Sequence, residues 1–108
     1  MHFDEPDLEG VTLAAMMAAL SDPVRVAIVR ELSASGEATC GAFDVGVSKA
    51  TRSHHFKVLR EAGLTRTRAE GTHRFVTLRR DEVETRFPGL LVAVLAAAEA
   101  ETLIAVPS

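Results

Sequence analysis

The spacing of apolar residues along the chain predicts a mainly helical protein with one small β-hairpin. Residues 11–20 are rich in strong helix formers, and their apolar side chains recur at helical spacing. Asp22 and Pro23 suit the cap and the first turn of a second helix, which should end before Gly36. A short third helix of about one and a half turns is expected over residues 39–45.

A longer helix and the hairpin follow in the second half of the chain. Ser48 is a good N-cap for a helix over residues 49–62, and Gly63 can adopt the left-handed conformation that ends helices. Residues 64–68 and 73–78 have the pattern of two short strands joined by a turn. A short helix, a turn, a longer helix and a hairpin in this order predict a winged helix-turn-helix unit.

Another short helix and a long apolar helix over residues 90–104 complete the predicted fold. The predicted domain organisation starts with a flexible acidic arm over residues 1–10. One winged helix-turn-helix domain with terminal dimerisation helices then covers residues 11–104, and residues 105–108 form a tail.

The composition favours a cytoplasmic protein without a membrane partner. The chain has 108 residues and a single cysteine, Cys40, so no disulfide can form within it. No apolar run approaches the roughly 20 residues of a membrane span. The acidic start of the chain also lacks the basic-then-apolar order of a secretory signal.

The net charge of −3 combines two regions of opposite sign. Residues 48–80 hold nine basic and two acidic side chains, a net charge of +7, and the rest of the chain carries −10. A basic face can bind phosphates while acidic surfaces keep a protein in solution. Because the basic region coincides with the longer helix and the hairpin, double-stranded DNA is the expected partner.

The predicted DNA contacts follow from the shape of the duplex. A helix fits the major groove, where each base pair shows a distinct donor and acceptor pattern, and an arginine-rich hairpin can reach nearby phosphates. For His55, a contact that ties the helix to its surroundings is the other open role. The residues predicted to contact DNA are Ser48, Lys49, Ala50, Thr51, Ser53, His54, His55, Lys57, Arg60, Arg66, Arg68 and Arg74.

Two segments, ALSDPVRVAIVREL and GVSKATRSHHFKVLREAGLTRTRAEGTHRFVTLRRDE, resemble the second helix and the recognition helix with its wing in the ArsR/SmtB family of prokaryotic regulators. The resemblance covers residues 19–95. It implies a homodimer that represses transcription from a pseudo-palindromic operator and releases DNA when an effector binds. It also implies that the first and last helices pack across the dimer axis through Leu13, Met16, Met17, Leu20, Leu91, Val94, Leu95 and Ala98.

One position within the basic region departs from that family. The family usually has an apolar residue where this chain has Arg52, on the predicted buried side of the helix. A buried unpaired charge is costly, so we expect the stem to pack while the guanidinium reaches a phosphate or Asp44. The preceding segment TCGAFDV also departs from the family pattern, which predicts a short or irregular helix there.

Candidate sensor ligands are few. Many members of the resembled family sense metals through several cysteines or through Asp and His pairs on the last helix. This chain offers only Cys40 and has neither His nor Cys over residues 90–108. We therefore predict no metal site and no cofactor, with the effector unknown. Cys40 is interpreted as a small buried hydrophobe, with a thiol sensor as the alternative.

The sequence does not predict an enzyme. It has no glycine-rich phosphate loop, and Ser53 beside His54 lacks the orienting acid and oxyanion hole of a catalytic triad. The main prediction is a sequence-specific, DNA-binding transcriptional regulator. Two alternatives stay open: a winged-helix interaction or dimerisation module without a DNA target, and an effector- or metal-responsive regulator with atypical ligands.

Overall fold

The computed structural model describes residues 5–40 and 46–105, and over residues 102–105 it describes the backbone alone. Of the short helix predicted over 39–45, residues 41–45 lie outside this range, and Thr39 belongs to a strand. The described elements are a 3-10 turn (Leu8–Gly10), α1 (Leu13–Ala19), α2 (Pro23–Ser35), β1 (Glu37–Thr39), α3 (Lys49–Glu61), β2 (Thr65–Glu70), β3 (His73–Leu78), α4 (Arg80–Arg86) and α5 (Leu90–Ala105).

Local capping sets the limits of the two central helices. Asp22 Oδ1 accepts a hydrogen bond from the amide of Val24 at 2.8 Å, which starts α2. Ser48 Oγ accepts one from the amide of Thr51 at 3.2 Å, which starts α3. Gly63, with φ at +82°, follows α3 in the left-handed region. These three signals are the ones that the sequence predicts.

The sheet has three antiparallel strands in the order β1-β3-β2. The predicted hairpin is present but longer, because β2 extends to Glu70 and leaves only a two-residue turn at Gly71. The strand β1 was not predicted. Its three residues are too few for a periodic signal, and Ala38 is in register with Val76 of β3 only because the fold brings the two segments together. The prediction of a mainly α fold with a small β-hairpin is confirmed, with this strand added.

The core lies between α2, α3, the inner face of the sheet and the terminal helices. Its apolar side chains below 2% exposure are Met16, Ile28, Val29, Leu32, Leu59, Leu64, Val76, Val83 and Leu91. Met16 and Leu91 were predicted as dimer contacts. At 0% and 1% exposure in the single chain, they belong to its own core and present no surface to a partner.

Residues 5–10 lie against the domain, which corrects the flexible arm predicted over residues 1–10; residues 1–4 lie outside the described range. Leu8 is buried in the core. The carbonyl of Pro6 accepts a hydrogen bond from Arg79 Nη1 at 2.9 Å, and the carbonyl of Leu8 accepts one from Arg86 Nε at 3.1 Å. We call residues 5–11 the amino-terminal strap. Leu8 and Val11 are too few apolar residues to give a periodic signal, so sequence patterns could not show this packing.

Candidate nucleic-acid interface

The long helix α3 has one buried and one exposed side. His55, Phe56 and Leu59 face the core. The exposed residues form a continuous surface over the first three turns, and no acid interrupts it before Glu61. They are Ser48, Lys49, Ala50, Thr51, Ser53, His54 and Lys57.

Hydroxyl groups at the start of α3 are oriented by each other. Ser48 Oγ donates to Thr51 Oγ1 at 3.0 Å and accepts from the amide of Thr51. Because Thr51 Oγ1 receives the proton of Ser48, its own hydroxyl proton remains for a second acceptor. That arrangement leaves a donor and a methyl group at the helix surface, a pair of groups that can read base edges in a major groove.

His55 is 7% exposed and points into the protein, so its predicted DNA contact is wrong. Its Nδ1 atom lies 3.1 Å from Nη1 of Arg25 on α2. Of the two roles left open for this residue, the structure supports the contact with its surroundings. On a helix, positions 54 and 55 differ by about 100° in direction, so one histidine is exposed while its neighbour is buried.

The register of the hairpin divides its basic residues between two faces. Side chains of paired residues share a face of the sheet. Arg74, opposite Ala69, lies on the same face as the buried Val76, which is the face that packs toward the helices. Arg66 and Arg68 lie on the other face, where Arg68 is paired with Phe75.

Arg66 and Arg68 are engaged in ion pairs on this other face of the sheet, and their predicted DNA contacts stay a prediction. Arg66 Nε lies 2.9 Å from Glu5 Oε2, and Arg66 Nη2 lies 2.9 Å from Glu82 Oε1. The hydrogen bond to Glu5 raises the pKa of Arg66. Arg68 forms ion pairs with Glu70 and Glu37. Its guanidinium carbon also lies 4.6 Å from the ring centroid of Phe75.

Two other cations of the basic region also have structural partners. Arg79 is 7% exposed and donates to the strap and to Glu82 Oε2, the latter at 2.6 Å. Arg80 donates to the hydroxyl and the carbonyl of Ser33 at the end of α2. The +7 charge of the region therefore overstates the charge available to a partner.

Three arginines from α3 and the hairpin converge near Cys40, which directly follows β1. Burial raises the pKa of the half-buried thiol, and the charges of Arg74, Arg52 and Arg60 act against that rise. In the sequence Cys40 has no basic neighbour, and only the fold reveals these charges. Arg74 of the hairpin and Arg52 and Arg60 of α3 therefore all act electrostatically on this one thiol.

Arg52 is partly buried on α3, as expected for a stem that packs. Its predicted alternative partner, Asp44, lies outside the described residues. Within residues 5–40 and 46–105, no group of three or more His, Cys, Asp or Glu side chains is arranged to hold a metal ion. No helix among the described residues is long and apolar enough to cross a bilayer.

Comparisons with known proteins agree with this geometry. Residues 20–68 match the family described as "Helix-turn-helix domain". The chain is 48% identical over 83 residues to the uncharacterized HTH-type transcriptional regulator YceK of Bacillus subtilis (strain 168), covering 72% of this chain and 81% of that protein. The crystal structure of M. tuberculosis Rv0081 superimposes with a TM-score of 0.63 at 26% identity, over 84% of this chain and 88% of that one. That of an ArsR family transcriptional regulator superimposes with a TM-score of 0.59 at 23% identity, over 88% and 93% of the two chains, a likeness of fold.

This chain belongs to the HTH-type transcriptional regulators. The matched residues 20–68 run from α2 to the middle of β2 and contain the whole of α3. In this regulator α3 stands where the sequence predicts the recognition helix, and β2 and β3 form the predicted hairpin. The predictions of a helix-turn-helix transcriptional regulator and of its fold are confirmed.

The terminal helices of the regulator carry apolar residues that its own core does not cover. Leu13 and Met17 on α1 are 50% and 55% exposed, and Val92 on α5 is 62% exposed. Val92 was not among the predicted dimer contacts, because the predicted stripe followed its buried neighbours. The other predicted contacts are partly buried: Leu20, Val94, Leu95 and Ala98.

Proposed function

We propose that this regulator is a homodimeric repressor of the ArsR type that binds a pseudo-palindromic operator, with α3 as the recognition helix in the major groove and the wing formed by β2 and β3 beside it. The observation that carries the proposal is the shared surface of α3 and Arg74. The exposed side of α3 offers hydroxyl, methyl, imidazole and ammonium groups, which match base edges and phosphates. The proposed DNA contacts are Ser48, Lys49, Ala50, Thr51, Ser53, His54, Lys57, Arg60 and Arg74.

Two subunits would place two recognition helices about one turn of DNA apart. The exposed Leu13, Met17 and Val92 support this arrangement, since large apolar side chains at the surface of a small domain mark contact sites. Pairing two copies would bury them and add core to a chain of only 108 residues.

The test is a comparison of two arginines on opposite faces of the wing. Duplexes enriched from a random library by the purified protein are titrated by fluorescence anisotropy from about 50 to about 200 mM salt. Replacing Arg74 with Ala should weaken binding. It should also reduce the slope of the logarithm of the binding constant against the logarithm of the salt concentration by about 0.9 for each phosphate no longer neutralised, or about 1.8 for a dimer. Arg66→Ala is the matched control, and its slope should equal that of the wild type.

Sequence reading is tested separately from phosphate binding. Thr51→Val removes the hydroxyl but keeps the shape, so it should relax base preference while leaving the salt slope unchanged. Failure to enrich any duplex would favour an interaction module without a DNA target. Equal effects of the two arginine substitutions would contradict the proposed interface. Repression itself is measured by placing an enriched site in a reporter promoter, where expression of the protein should lower output.

A further inference from the structure

One arginine on α2 connects the end of α1 to the middle of the recognition helix. Arg25 Nε donates to the carbonyl of Ala19 at 2.7 Å, and its Nη2 donates to the carbonyl of Ala18 at 3.3 Å. The third donor, Nη1, lies 3.1 Å from Nδ1 of His55 on α3. A guanidinium presents its donors in a rigid planar fork, so the three contacts fix one relative position of the two helices.

This contact favours the neutral form of His55. Arginine is always charged and has no acceptor, so Nδ1 of His55 must be the acceptor. The ring is then neutral and carries its proton on Nε2. A proton on Nδ1 would remove the hydrogen bond and set two cations against each other at a site where the imidazole is 7% exposed.

Among the described residues, the ionisable neighbours of His55 belong to α2 and α3, including Arg52, three positions earlier on α3. Asp22, the N-cap of α2, is the acid among them; burial would raise its pKa, but the amides of Val24 and Arg25 and the charge of Arg25 lower it. On α3, the neighbouring ring of His54 lies 5.8 Å away, centroid to centroid. Helix α1 has no ionisable side chain, and the residues of β2 on the face toward α3 are threonine and alanine.

We infer that Arg25 and His55 form a positioning pair that couples α1 to the recognition helix, so that protonation of His55 displaces α3 and weakens DNA binding. The inference rests on the proposed function. Thr51 lies about one turn before His55 on α3, and His54 lies directly before it. A displacement of α3 therefore moves both residues. Helix α1 bears the exposed Leu13 and Met17, so the proposed dimer contact and the DNA surface share this link.

The variant His55→Asn separates titration from packing. The amide oxygen of Asn occupies the place of Nδ1, accepts a hydrogen bond from Arg25 and cannot be protonated near neutral pH. Affinity for an enriched duplex is measured at about pH 8 and about pH 5.5 at constant ionic strength, the range over which histidine changes charge. The ratio of the wild-type Kd to the His55→Asn Kd should be near one at the higher pH and rise about five-fold at the lower pH, the effect of losing one hydrogen bond.

Two further variants control this result. His54→Asn removes the exposed neighbour, whose protonation adds attraction to phosphate, so its effect on the pH dependence should have the opposite sign. Arg25→Lys keeps the charge but cannot make three contacts, so it should weaken binding at both pH values. A ratio of wild type to His55→Asn that does not change with pH would overturn the inference.

A measurement without DNA separates this inference from the proposed function. In ¹⁵N spectra of the free protein at about pH 8, Nδ1 of His55 should be unprotonated. The amide signals of Ala18 and Ala19 should follow the same titration as those of α3 in the wild type, and lose that link in Arg25→Lys. A proton on Nδ1 at the higher pH, or independent titration of α1 and α3, would show that the pair does not couple them. If the wild type binds no duplex at the higher pH, the proposed function fails, and so does the proposed effect of His55 protonation on DNA binding. The spectra still decide whether Arg25 and His55 couple α1 to α3.

Discussion

Replacing Gly63 with Ala tests how closely the amino-terminal strap packs on the end of α3. Gly63 has φ at +82°, a conformation that costs an L-residue roughly 1–2 kcal/mol. A Cβ at this position would also lie 2.3 Å from Cδ2 of Leu8 and 3.6 Å from Cγ2 of Val11. Leu8 is 5% exposed, so pushing its side chain out of the core loses up to roughly 2 kcal/mol.

The expected loss of unfolding free energy for Gly63→Ala is therefore up to about 4 kcal/mol. Gly71→Ala is the matched control, because Gly71 has φ at +61° but nothing within 4 Å of its Cβ position. It should lose only the backbone part, roughly 1–2 kcal/mol. The chain has neither Trp nor Tyr, so urea unfolding is followed by far-UV circular dichroism, at one fixed protein concentration.

A double-mutant cycle isolates the contact with Leu8. In a Leu8→Ala background the clash is gone, so Gly63→Ala should cost no more than Gly71→Ala does in the wild type. Equal losses for the two glycine substitutions in the wild-type background, or the same loss for Gly63→Ala with and without Leu8, would refute the close packing of the strap on the end of α3.

Three further predictions concern separate parts of the molecule. Asp22→Ala should cost about 1 kcal/mol of unfolding free energy through loss of the α2 cap. The folded state lowers the pKa of Asp22, so the cap stabilises the protein fully above the pKa that Asp22 has in the unfolded chain. This stabilisation disappears as the pH falls through the lower pKa of the folded state, and the urea midpoints of wild type and Asp22→Ala should therefore converge in acid. The raised pKa of Cys40 predicts alkylation by iodoacetamide more slowly than for an unfolded cysteine at neutral pH, with a rate that rises with pH; equal rates would contradict the burial of the thiol. Met17→Glu should dissociate the proposed dimer in sedimentation equilibrium, whereas Ala34→Glu, the same change on an exposed position of α2, should not.

Signals that act within a few residues predicted most of the fold. Ser48 and Gly63 set the limits of α3 because a cap and a left-handed glycine act on their own backbone neighbours. The alternation of β3 was equally local. By contrast, β1 exists only through pairing with β3, a contact between segments more than thirty residues apart in the chain.

The direction of individual side chains was harder to predict than the elements that carry them. Arg66 and Arg74 are both basic residues of the wing, but they lie on opposite faces of the sheet. Arg66 is paired with Thr77, whereas Arg74 is paired with Ala69, three positions after Arg66 on β2. His55 and Met16 were assigned to surfaces because their helices were, although both point inward. Which acids meet Arg66 depends on Glu5, 61 positions away, and no local pattern contains that information.

The strap also has a consequence for how molecules of this protein meet at high concentration. In the order β1-β3-β2, the strand β2 forms an edge of the sheet, and an uncovered edge is a template for β-pairing between chains. Glu5 Oε1 accepts the hydrogen bond of the Thr67 amide at 3.0 Å, which occupies a donor that such pairing would use. The same acidic residue places a negative charge along the strand, so the amino-terminal segment protects the wing against edge-to-edge aggregation.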